Sequence, residues 1–213
     1  EKSDQSSKEV TDTRLDNGDR AYRETVKGKD HQHETFELKR QDGSRYERNT
    51  STDQTEGATV TRNKLTDTAK GLHKETTVSQ QSGRKSTHET ETTNTFNGGR
   101  SERRLEKLED GAVASKEQTV ERDKDGKVRK DTTVTVDGQG KVTRELKNTD
   151  NSSEDNTTTV KSDGSESYHR VHTLKVEDRT MTTTTDGVKG GAESIHAETQ
   201  SPDGNRVSDT RTW

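Results

Sequence analysis

Cysteine is absent from these 213 residues. That removes any disulfide framework and every thiolate-based zinc site. Proline occurs once, at Pro202, and aromatic residues make up 3% of the chain. No apolar run approaches the roughly 18–20 residues of a membrane helix, so no membrane span is expected. Nothing reads as a signal peptide. Neither sign of charge dominates: 37 basic and 41 acidic residues are well mixed and leave a net charge of −4. A mixed polyampholyte casts no long-range field of one sign. With no basic stripe and few rings for base stacking, a nucleic-acid partner is not expected.

Apolar residues are scarce too, at 18% of the chain, where a globular domain is roughly half apolar. So little hydrophobicity is the compositional mark of disorder. The order of the residues points elsewhere. Threonine supplies 36 of the 213 positions, and glycines fall on a beat: Gly43, Gly57, Gly71, Gly83, Gly98, Gly111, Gly126 and Gly138 are separated by 14, 14, 12, 15, 13, 15 and 12 residues. Gly164, Gly187 and Gly204 extend the series, each preceded by Asp. Asp-Gly and Asn-Gly pairs supply the positive φ that tight hairpin turns need. Between turns the chain is rich in Thr and Val, which are stiff at χ1 and suit strands. Apolar pairs stand two apart, as in Phe36/Leu38, Val134/Val136 and Leu174/Val176, which is strand spacing.

The expectation is therefore an all-β chain: a long antiparallel meander of about 14–16 short strands over residues 1–213. It would repeat about every 27 residues per two-strand unit. The stretch 187–204, which holds Pro202, is the least regular and is expected to be irregular. The segment "SERRLEKLED" (101–110) has helix-forming composition, with Leu105 and Leu108 at i,i+3; the flanking turns assign it to a strand. A recurring motif is also visible: "VTDTR" at 10–14, "LTDTA" at 65–69 and "VSDTR" at 207–211. The terminal "DTRTW" is expected to pack Trp213 over a neighbour.

The same scarcity decides the layering. A two-sheet sandwich of such strands would need about 60–75 inward side chains, and 38 residues are apolar. A largely single-layer or thin two-layer sheet remains, with a two-strand-per-rung β-solenoid as the alternative. Cross-strand Thr–Thr and charge pairs, and the aliphatic stems of Lys, Arg and Glu, would hold such a sheet. The Lys/Glu/Thr-rich strands and the turn "KDGK" at 124–127 resemble the free-standing sheet of spirochaete outer-surface lipoproteins. The resemblance covers composition and turns, implies a sheet with both faces in water, and carries no functional residue.

Chemistry-bearing patterns are thin. Residues 121–132, "ERDKDGKVRKDT", imitate a calcium loop with Asp123 and Asp125, but Thr132 stands where a bidentate Glu is needed. "NTDNSSEDN" (148–156) gathers Asp150 and Asp155 as a second weak calcium candidate. Solvated turns account better for both. His31 and His33 share a strand face without a third ligand. Three sequons, at Asn49, Asn151 and Asn156, are possible glycan sites in a secreted chain. No nucleophile elbow or phosphate loop occurs, and no cofactor is expected. Thr runs at 157–160 and 182–185 suggest an ice-binding array, but charged residues interrupt those faces. An enzyme is not expected. The sequence points to a structural protein at the cell surface or outside the cell. Its partners would be copies of itself, joined by strand pairing into a filament, sheet or matrix. A monomeric adhesin-like or stalk-like binding module is the alternative.

Overall fold

Alternating Thr and Val favour extended backbone, and the computed structural model, which describes residues 6–95, 98–110 and 112–213, contains sixteen strands and no helix among them. The chain divides into two units, Glu1–Ala112 and Val113–Trp213. The first carries β1 (Ser7–Arg14), β2 (Arg20–Lys27), β3 (His31–Lys39), β4 (Arg45–Thr55), β5 (Ala58–Asp67), β6 (Leu72–Gln81), β7 (Arg84–Asn94) and β8 (Arg100–Asp110). The second carries β9 (Ala112–Arg122, beginning at the division), β10 (Val128–Asp137), β11 (Gly140–Asn148), β12 (Ser152–Lys161), β13 (Glu166–Val176), β14 (Arg179–Val188), β15 (Glu193–Gln200) and β16 (Arg206–Thr212).

Within each unit the strands follow chain order, each antiparallel to the next. Among the described residues, strands touch their ladder neighbours and no others. Each unit is thus a single-layer antiparallel meander. The β-solenoid alternative fails, because its rungs would stack in parallel. The segment 101–110 lies within β8, which sends Leu105 and Leu108 to opposite faces of the sheet. The stretch 187–204 is more regular than expected. It holds β15, paired in register with β14 and β16, because Ile195 and Ala197 keep strand alternation between two turns.

Turns opened by Leu15, Arg40, Asp123, Lys161 and Ser201 use one plan, whose two backbone bonds recur at Thr95 and Val188. The opening residue's N–H donates to the carbonyl four residues on, and the glycine at the fourth place donates back to the opening carbonyl. This is a three-residue loop closed by a bulge that requires a left-handed residue. Gly18, Gly43, Gly126, Gly164 and Gly204 supply it, with φ between +80° and +85°. In four of the five, an Asx at the third place (Asn17, Asp42, Asp163, Asp203) accepts from the fifth residue's N–H at 2.8–3.1 Å. Gly57 and Gly83 serve shorter two-residue turns, also at positive φ.

Three of the turn glycines need separate treatment. Gly138 lies in the β10–β11 turn, but the positive φ, +145°, falls on Gly140. A Cβ on Gly140 would stand 2.1 Å from the Val160 carbonyl oxygen. Gly187 is not a turn residue: it lies inside β14 opposite Tyr168, whose ring fills the space a side chain would take. Gly111 lies outside the described residues.

No hydrophobic residue is buried among the described residues, and Asp67 is the one buried polar residue, at 5% exposure. In the first unit, half-buried Ala21, Phe36, Leu38, Tyr46, Leu65 and Leu72 share the face that carries Asp67. Phe36 meets Tyr46 edge-on, with ring centroids 6.0 Å apart. The second unit spreads its apolar residues over both faces of its ladder.

Candidate functional site

Of the calcium candidates, Asp123, Asp150 and Asp155 are held by other partners. Asp123 accepts from the Asp125 and Lys127 N–H groups at 2.9 and 3.0 Å and from Arg129 Nε at 2.7 Å. Burial alone would raise its pKa, but Arg129 and the two N–H groups outweigh that and lower it. Asp150 is reached by Arg129 Nη1 at 2.9 Å. Arg129 is the extra residue of a bulge where the β9–β10 register shifts between Val128 and Lys130. Bulges re-aim side chains, and this one lets a single guanidinium bind the carboxylates of the β9–β10 and β11–β12 turns. Asp125 is exposed at its turn, and Asp155 lies away in β12, held by Arg144 at 3.0 and 2.6 Å. No group of three metal-ligating side chains occurs among the described residues.

Of the sequons, Asn151 is exposed in the β11–β12 turn, whereas Asn49 and Asn156 are half-buried on strands. Asn49 donates to Glu47 at 2.7 Å. His31 is exposed, and the His33 ring meets Thr35 at 3.0 Å. Surface grooves are open, with polar and apolar linings mixed. One of about 740 Å³ runs past Gln54, Gly57, Gln80, Ser82, Arg84 and Glu109. It lacks the apolar wall that makes a ligand pocket selective or strengthens a catalytic charge.

Charge pairing crosses the ladders instead. Glu89 sits between Lys74 at 2.9 Å and Arg103. Burial opposes its ionisation, but the two cations prevail and its pKa is lowered. The hydrogen bond from Arg20 likewise lowers the pKa of Asp12, and that from Arg144 lowers Asp155.

The outer strands are the most exposed part of the fold. Every described residue of β1 and β16 is exposed along the strand. β1 pairs on one side with β2, and β16 on one side with β15. Leu15 N–H donates to Asp19; alternation then turns the backbone groups of Lys8, Val10, Asp12 and Arg14 outward. Glu193 and Trp213 exchange both backbone bonds at 3.0 and 3.1 Å; alternation turns those of Arg206, Ser208, Thr210 and Thr212 outward. The shared motif is therefore presented in opposite phases on the two strands. Trp213 does not pack over a neighbour: it is 63% exposed, and Val207 is 74% exposed. Each has a ladder neighbour on one flank and none among the described residues on the other. The shared motif is legible in the residues, but its phase depends on the turn beside each strand.

No family model matches the chain, and no curated protein or solved structure matches it either. Among the described residues no helix is long and apolar enough to cross a membrane.

Proposed function

We propose that this chain is a structural subunit that self-assembles through β-strand pairing between copies, forming a filament, sheet or matrix outside the cell or on its surface. The observation that carries the reading is the pair of outer strands. Each is exposed along its whole length and offers one rank of N–H and C=O groups that no strand among the described residues pairs. Such edges template pairing with another chain unless they are shortened, covered or broken by proline. Neither β1 nor β16 contains proline, and among the described residues nothing covers them. A sheet with no buried apolar side chain among its described residues also gains little by folding alone and more by extending its ladder.

Electron microscopy and fibre diffraction of the purified chain test the proposal. Elongated or sheet-like assemblies with a strand spacing of about 4.7–4.9 Å are expected. Monodisperse monomers over a wide concentration range would overturn it and favour the adhesin-like or stalk-like binding module.

A further inference from the structure

The segment Val207-Ser208-Asp209-Thr210-Arg211-Thr212-Trp213 is its own complement when laid antiparallel on itself. We propose that β16 of one 213-residue chain pairs antiparallel with β16 of a second copy, with the two-fold axis at Thr210. The proposal rests on the strand-pairing reading above and names its surface. In this register Thr210 lies opposite the partner's Thr210, and Ser208 opposite the partner's Thr212. These are residues whose backbone groups point outward, so each pair can exchange two hydrogen bonds. At the intervening positions, where facing side chains stand closer, Asp209 meets the partner's Arg211 and Val207 meets the partner's Trp213. Symmetry repeats both contacts.

Two independent features of the strand fit this pairing. Val207 and Trp213 are the two most exposed large hydrophobic side chains described, at 74% and 63%, and the pairing places each against the other's counterpart. Asp209 and Arg211, 62% and 75% exposed, bind each other along their own strand at 3.0 Å. On β1 the corresponding Asp12 is already engaged across the ladder, by Arg20.

Other arrangements fit worse. Sliding by two residues sets Asp209 against the partner's Asp209, or Arg211 against the partner's Arg211. Sliding by one puts the backbone groups out of phase. A parallel in-register pair also opposes like charges. Against β1 of another copy, the phase of the two strands allows Asp209 to face Ser7, Glu9, Thr11 or Thr13, none of which is a cation.

Sedimentation velocity of the full chain and of D209R, R211D and the double swap D209R/R211D tests the inference. Each single change should weaken dimerisation by at least about tenfold, and the double swap should bring it back to within about threefold of the original. The cysteine-free chain allows a second readout. On oxidation T210C should form a disulfide-linked dimer, and V10C, on the outer side of β1, should not. Equal association by all four proteins, or linkage through V10C instead of T210C, would overturn the pairing. If filaments still form while D209R changes nothing, the β16 pairing fails and the broader strand-pairing reading stands. Monomers at every concentration would defeat both.

Discussion

Leu65-Thr66-Asp67-Thr68 at the end of β5 and Val207-Ser208-Asp209-Thr210 in β16 are nearly the same residues in opposite surroundings. The Asp67 side chain is 6% exposed and that of Asp209 62%. Leu65 is half-buried, whereas Val207 is 74% exposed. β5 has β4 on one flank and β6 on the other, whereas β16 has β15 alone. Asp67 receives Arg40 at 3.2 Å from the β3–β4 turn and the Ala69 N–H at 3.1 Å; Asp209 has Arg211 of its own strand. In a single-layer sheet, lateral neighbours confer burial, and an edge copy of the motif would acquire it by gaining a neighbour.

The largest expected effect breaks the comparison at its interior member. Asp67→Ala leaves Arg40 without its carboxylate and should cost about 2–3 kcal/mol in urea unfolding, with the protection loss in hydrogen exchange centred on β4–β6. A loss below about 0.5 kcal/mol would show that burial of Asp67 is incidental. In the second unit Gly140→Ala should cost about 2 kcal/mol, because the new Cβ meets the Val160 carbonyl at a backbone angle that L residues avoid. Phe36→Ala, at a half-buried position, should cost about 1.5–2 kcal/mol and loosen the face around Tyr46 and Leu65.

Acid should act on both units. Asp12, Glu75, Glu89, Glu145 and Asp155 all have lowered pKa values through bonds to Lys or Arg. A carboxylate depressed in the folded state contributes stability above its unfolded value, near pH 4. That contribution is lost as pH falls through the lowered folded values. Urea midpoints should hold steady down to about pH 5 and decline below about pH 4; a midpoint unchanged in acid would deny these pairs a role. The smallest effect sharpens the comparison at its edge member. Asp209→Ala should change unfolding of the dilute chain by less than about 0.5 kcal/mol.

Much of this fold could be read from residue spacing. Asp-Gly and Asn-Gly pairs marked the turns, and Thr/Val alternation marked the strands. What escaped depends on register. Gly187 carries the same Asp-Gly signature as Gly164, yet it sits within β14 because Tyr168 opposite needs the space. Arg129 gave no sign of joining two turns, since a bulge exists relative to a partner strand. Asp67 looked like Asp12 and Asp209, and its burial depends on its place in the ladder. Which backbone groups of β1 and β16 face outward follows from the turns at Leu15 and Ser201.

On the proposed function, the ladder gains stability by continuing into other copies. The most direct measurement is the thermal midpoint of the chain as a function of its concentration. Association of folded chains predicts a midpoint that rises steadily with concentration. A midpoint independent of concentration, in a chain that sediments as a monomer throughout, would contradict it.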